Sequence, residues 1–128
     1  MIIGTGVDIV EISRIKNAAK RWNKSFLSRI FTDKELQYST RKTSSYQHLA
    51  ARFAAKEAVL KALGNGWANR AEWRDIEVWN EASGKPNVRL SGEVKKISKQ
   101  RGVTDIIISM SHTRTYAIAN VIMVKSST

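Results

Sequence analysis

Cysteine is absent from the 128-residue sequence, which excludes disulfides, zinc–thiolate sites and thiol nucleophiles. Histidine is nearly so, with two residues, and a soft metal held by imidazoles is correspondingly disfavoured. Only one proline occurs, with no low-complexity run and no internal repeat, so no linker divides the chain. One compact domain over residues 1–128 is expected. No apolar run approaches the ~18 residues of a membrane span. Asp8, Glu11 and Arg14 interrupt the first apolar stretch too early for a signal peptide. A cytoplasmic protein without a membrane partner is therefore expected. Acid is also scarce: 11 Asp and Glu stand against 22 Lys and Arg, a net charge of +11. That imbalance implies an anionic partner, whether nucleic acid, an acidic protein or a phosphorylated ligand.

What is present reads as alternating local signals. "IIGTGVDIV" is β-branched and glycine-punctuated, a strand pattern. From Ser13 to Arg29 the period becomes helical, with Ile15, Ala18, Ala19, Trp22, Phe26 and Ile30 roughly on one side. Thr32 followed by Glu35 is a capping-box signature for a short second helix. After the polar "RKTSS", a third helix is expected from about Gln47 to Leu63. Gly64 would end it in the left-handed region. "DIEVWNEASGKPNVRL" reads as a hairpin, and "GEVKKISKQRG" as a short helix stopped by Gly102. "TDIIISMSH" and "TYAIANVIMV" are strands joined near Thr113 and Arg114, apolar on both faces and so expected centrally in a sheet. The class is α+β, an antiparallel sheet packed by three or four helices.

Two carboxylates stand out against this pattern. In "RFAAKEAVLKALG", Phe53, Leu60 and Leu63 cluster around Leu49 when the helix is turned at about 100° per residue. Glu57 falls at about 80° and Lys61 at about 120° from Leu49, beside Ala50 and Ala54. The acid thus borders the apolar stripe on a flank of small side chains open to close approach. It could simply form an i,i+4 pair with Lys61, worth ~0.2–0.5 kcal/mol. Asp8 is enclosed by Val7, Ile9 and Val10, where a strand-end turn or helix cap is the plain alternative. Two embedded acids from different elements also fit a Mg²⁺ site, because magnesium takes one or two carboxylates, several waters and substrate phosphates. Lys61, the "GNG" at Gly64–Gly66 and the "GKP" at Gly84–Pro86 could each handle phosphate, and His112 could donate to one. Arg14, Lys16, Lys20, Arg21, Lys24 and Arg29 occur with no acid between Ser13 and Arg29. The segment is either a solvated face or, with Trp22 and Phe26 interleaved, a docking surface for an acidic partner.

"GTGVDIVEISRI", "RIFTDKEL", "FAAKEAVLKALG", "GKP" and "SMSHTRTYAIANVI" together, in this order, resemble the holo-[acyl-carrier-protein] synthases. These are the small bacterial 4′-phosphopantetheinyl transferases. The resemblance implies transfer of the phosphopantetheine arm of coenzyme A to a serine of apo acyl carrier protein, releasing adenosine 3′,5′-bisphosphate in the service of lipid synthesis. It implies Asp8 and Glu57 as magnesium ligands and catalytic residues, with Lys61 beside the coenzyme A pyrophosphate. Gly64, Lys85, Pro86 and His112 would contact the donor. It further implies a homotrimer with sites between subunits, and an acidic carrier helix docked on Arg14, Arg21 and Lys24. Chemically, phosphoryl-type transfer needs positioning and charge neutralisation, which such a metal and Lys61 would supply. The base for the serine hydroxyl is left open between Glu57, Asp8 and water. Three tryptophans between Trp67 and Trp79 receive no role. The competing readings are a small basic RNA-binding protein, supported by net charge and tryptophans, and a non-catalytic carrier-binding adaptor.

Overall fold

The computed structural model describes residues 1–64 and 71–127, apart from the side chains of Trp22 and Asn23. Along the described chain run β1 (Ile2–Glu11), α1 (Ile12–Ile30), α2 (Asp33–Thr40), α3 (Ser45–Leu63) and a 3-10 turn (Trp73–Asp75). There follow β2 (Ile76–Asn80), β3 (Pro86–Leu90), α4 (Gly92–Gln100), β4 (Asp105–His112) and β5 (Tyr116–Val124). The α+β class is as expected. β1, β5 and β4 form an antiparallel sheet in that order, and β2 and β3 pair as a separate antiparallel hairpin.

β5 alone is central. β4 is an edge strand of the three-stranded sheet, contrary to the expectation that both strands lie inside. The apolar pattern of the two strands had a different cause. Alternate residues of β5 (Ala117, Ala119, Val121, Met123) are buried, while Ile118 and, on β4, Ile107 stand exposed on the opposite face.

α3 lies across the inner face of this sheet, with α1, α2 and the β2 side of the hairpin on its other flanks. It is consequently buried on nearly every side, and the expected narrow stripe is corrected: Leu49 and Leu63 are buried as predicted, Phe53 and Leu60 only partly, and six alanines are buried with them. α3 begins at Ser45, before the expected Gln47. Gly64 ends it with φ 99° and ψ 167°, so the φ is positive as expected but the ψ lies outside the left-handed helical region.

α1 follows β1 without a loop, and the Ile12 N–H donates to the Thr115 carbonyl at 2.9 Å. Ile15, Ala19 and Ile30 face inward, while Arg14, Arg21 and Lys24 are exposed. The predicted capping box is present at α2: the Glu35 N–H donates to Thr32 Oγ1 at 3.2 Å, and the Thr32 N–H donates to Glu35 Oε1 at 2.9 Å. Glu35 is also fully buried, where it pairs with Lys56 Nζ at 2.7 Å and accepts from the Val78 N–H at 2.9 Å. One carboxylate thus caps α2 and ties it to α3 and β2.

Candidate active site

β1 can lie directly on α3 because it lacks side chains at two positions. A Cβ at Gly6 would collide with the Ala58 carbonyl oxygen, and one at Gly4 with that of Ala62. Glycine on the strand and alanine on the helix together bring the two backbones close. Ala50 and Ala54, the small-residue flank read from the sequence, are themselves fully buried within the chain, not left open to another molecule. Asp8 follows Gly6 by two residues, so it projects from the same strand face. Glu57 and Lys61 immediately precede Ala58 and Ala62 on α3. The same close crossing therefore delivers all three side chains to one place.

Lys61 Nζ lies 3.0 Å from Asp8 Oδ1 and donates to the Val7 carbonyl at 3.1 Å. Asp8 is largely covered there while Lys61 stays half exposed. The ion pair of Lys61 is thus cross-element, where the sequence suggested a partner on its own helix. Glu57 is half-buried. Burial raises its carboxyl pKa above the usual value, the nearby Asp8 charge adds to the rise, and Lys61 partly offsets it. A carboxyl whose proton affinity is raised by burial and by a neighbouring acid is a natural seat for a hard divalent cation. Among the described residues there is no cluster of three or more His, Asp or Glu side chains suited to a metal. An ion here would take two protein oxygens and fill its shell with water or ligand phosphates, which suits magnesium.

A second group of side chains surrounds a pocket of about 210 Å³ between α2, α3, the hairpin turn and the end of β4. Gly84, Pro86 and His112 border it, as do His48, Arg52 and Asn80. Gly84 has φ 94° in the hairpin turn, and Lys85 is exposed between Gly84 and Pro86. Asp8, Glu57 and Lys61 are not among the residues bordering this pocket. Gly64 is separate again: its N–H bonds to the Leu60 and Lys61 carbonyls, and an Arg101 nitrogen lies 3.3 Å from where a Cβ would stand. Asn65 and Gly66 of the "GNG" segment, and Trp67, lie outside the described residues.

Apart from Gly64, the residues predicted for metal and donor thus fall into an acid–lysine group and a hairpin–His112 group. His48 and Arg52 were missed by the sequence reading. Their i,i+4 spacing on α3 was the available signal, but it resembles any surface pair until Tyr38, Asn80 and His112 arrive from elsewhere. The tryptophans assume plain roles: Trp73 stacks on Phe53 with centroids 5.2 Å apart, and Trp79 lies under the Arg89 guanidinium. Trp73 is thereby engaged within the chain, whereas Trp79 remains partly exposed. No helix among the described residues is long and apolar enough to cross a membrane.

Residues 4–121 match the model of the 4′-phosphopantetheinyl transferase superfamily. A holo-[acyl-carrier-protein] synthase of Geotalea daltonii is 44% identical over 125 residues, 98% of this chain and 100% of its own length. The crystal structure of holo-[acyl-carrier-protein] synthase from Neisseria meningitidis superposes with a TM-score of 0.87 at 35% identity, covering 98% of this chain and 100% of that one. That of the Helicobacter pylori synthase in complex with coenzyme A gives 0.80 at 32% identity, covering 94% and 99%. The chain belongs to the 4′-phosphopantetheinyl transferase superfamily and, within it, to the holo-[acyl-carrier-protein] synthase family.

Proposed function

We propose that this phosphopantetheinyl transferase works through Asp8, Glu57 and Lys61, with Mg²⁺ held between the two acids and with a neighbouring copy completing each site. The reaction moves the 4′-phosphopantetheine arm of coenzyme A to a serine of apo acyl carrier protein. The serine oxygen forms a bond to the β-phosphorus of the donor, the bond from that phosphorus to the bridging oxygen breaks, and adenosine 3′,5′-bisphosphate leaves. The serine proton passes to a base. Bound magnesium would neutralise the pyrophosphate oxygens as charge builds on the leaving side. Lys61, half exposed and held by Asp8 and the Val7 carbonyl, would neutralise the charge on that leaving oxygen. Asp8 and Glu57 come from different elements and lie close enough for the Asp8 charge to act on Glu57, and the close β1–α3 crossing holds both elements before substrate arrives.

The observation that carries this reading is the acid–lysine group on β1 and α3 in a chain of this family. Gly64, Lys85, Pro86 and His112 are assigned to the donor, with the pocket beside the hairpin turn receiving its nucleotide end. In a single chain that pocket and the acids do not share a lining, which supports a site assembled from two copies. The outer sheet face gives a surface for that assembly. Cross-strand rows Thr5–Ile122–Ile107, Val7–Asn120–Ser109 and Ile9–Ile118–Ser111 run across it, with Val7, Ile9, Ile107 and Ile118 exposed. Exposed apolar residues gathered on one sheet face support such an interface. A homotrimer, a cytoplasmic location and a role in fatty acid synthesis complete the proposal, with the whole chain acting as one domain. The carrier's acidic helix docks on α1 through Arg14, Arg21 and Lys24.

Incubating the protein with apo carrier protein, coenzyme A and magnesium should add one phosphopantetheine arm to the carrier serine, read by intact mass. Chelating the metal should stop it. Salt-sensitive RNA binding without any carrier modification would replace this reading with the RNA-binding one.

A further inference from the structure

The two histidines of the sequence come from α3 and β4, yet their rings stand edge to face with centroids 5.8 Å apart. Both border the pocket beside the hairpin turn. The remaining wall favours an anion. The Arg52 side chain is buried, donates through Nη2 to Asn80 Oδ1, and leaves Nε without a partner among the described residues. Tyr38 of α2 meets the other side of His48 with ring centroids 5.8 Å apart, and carries Arg52 at 4.3 Å and Lys42 at 4.8 Å from its centroid. No carboxylate borders the pocket among the described residues.

The charged groups acting on His48 are Arg52 from its own helix, Lys42 from the loop after α2 and His112 from β4. α2 offers the Tyr38 phenol and β2 the neutral Asn80. Burial first, then these cations, holds the His48 imidazole below its usual pKa. A buried guanidinium with an unpaired N–H beside two imidazoles is an array of donors and latent cations that a dianion would complete.

We propose that His48 is a positioning residue of the donor pocket: it braces the His112 ring, and the pair takes up protons when the phosphate-bearing end of the donor binds beside Arg52. The inference rests on the reading that this pocket receives the donor nucleotide. The sign follows from the field of the ligand. A bound dianion favours the charged imidazoles and raises both pKa values above those of the free protein. Protons are taken up on binding, so affinity falls as pH rises through the histidine range.

With only two histidines, ring proton resonances of the intact protein report each one, assigned with His48→Phe and His112→Phe. Two probes serve: adenosine 3′,5′-bisphosphate, and sulfate, whose own charge is constant across the histidine range. Saturation with adenosine 3′,5′-bisphosphate should raise both imidazole pKa values by about one unit or more, and sulfate should shift them in the same direction. His48→Phe, which keeps an aromatic edge for Tyr38, should reduce the shift at His112 and flatten the pH dependence of the coenzyme A KM. The KM for carrier protein should not change. His48→Gln, a second substitution should the first disturb folding, should flatten the same profile. Unchanged imidazole pKa values with ligand bound would overturn the proposal. So would His48 variants with the parental coenzyme A pH profile, even while transfer proceeds normally and the donor reading stands. If adenosine 3′,5′-bisphosphate fails to bind and no carrier is modified, the donor reading falls and this inference with it.

Discussion

Glu57 sits half-covered beside Asp8, and its raised pKa has a thermodynamic consequence as well as a chemical one. A carboxyl whose folded pKa exceeds its unfolded value stabilises the fold at low pH, and that contribution is lost as pH rises through the folded pKa. Near neutral pH the ionised acid is therefore a cost in the metal-free protein. Glu57→Gln should unfold at slightly higher urea concentration than the parent at pH 7.5, by less than about 1 kcal/mol because the group is half in solvent, and the gain should shrink near pH 5. The same variant should lose carrier transfer. Magnesium should raise the melting temperature of the parent more than that of the variant, since a ligand stabilises only in proportion to its binding. Retained transfer with unchanged magnesium dependence would end the assignment. Asp8 and Glu57 were legible in the sequence because an acid among apolar neighbours is rare enough to notice. The Asp8–Lys61 pair was not, because it depends on how Gly4 and Gly6 let β1 approach α3.

Between elements, the strongest tie that the sequence concealed is Lys56 with Glu35. Both are fully buried, and Lys56 also donates to the Trp73 carbonyl at 3.1 Å and to the Ile76 carbonyl. Glu35 was legible as half of a capping box, a purely local pattern. Its second role was not, since nothing near it in sequence names Lys56 or the Val78 N–H as partners. The burial of Arg52 was concealed for the same reason. Removing one member of a buried pair leaves an uncompensated charge, so Lys56→Met should cost about 3–5 kcal/mol in urea unfolding. Glu35→Leu combined with Lys56→Met should cost less than the sum of the two single changes; strict additivity would argue that the pair is not coupled. The inward stripe of α1 was legible at Ile15, Ala19 and Ile30; Ala18 and Phe26 are only half-buried, and the side chain of Trp22 lies outside the described residues. Charges at the rim of an interface act mainly on association rate and its salt dependence. Arg14→Glu should therefore raise the KM for carrier protein several-fold while the coenzyme A KM stays near the parental value, and added salt should weaken carrier use by the parent. Equal changes in both constants would count against docking on α1.

For the molecule as a whole, the apolar residues of β1, β4 and β5 explain why sequence reasoning misjudged the sheet. Apolar content on both faces reports what each face touches, not which strands lie beside it. One face of the sheet holds α3. The opposite face carries Val7, Ile9, Ile107 and Ile118 into solvent, with a shallow hollow of about 240 Å³ bordered by Val7, Ser109, Met110, Ser111, Ile118 and Asn120. Burying that face against other copies would remove the exposure. Ile118 lies in the middle of the Ile9–Ile118–Ser111 row on the central strand, so a charge there meets any partner seated on the face. Ile118→Arg should leave the circular dichroism spectrum unchanged, because the side chain already faces solvent in a single chain. It should sediment as a monomer where the parent sediments as a trimer. Transfer per chain should fall by about 100-fold or more, the scale of loss when reacting groups are misplaced by even an ångström. Parental activity per chain should also decline on dilution, in step with dissociation. A monomeric Ile118→Arg that transfers at the parental rate would require all the catalytic groups to lie within one chain, and the hairpin pocket would then need another occupant.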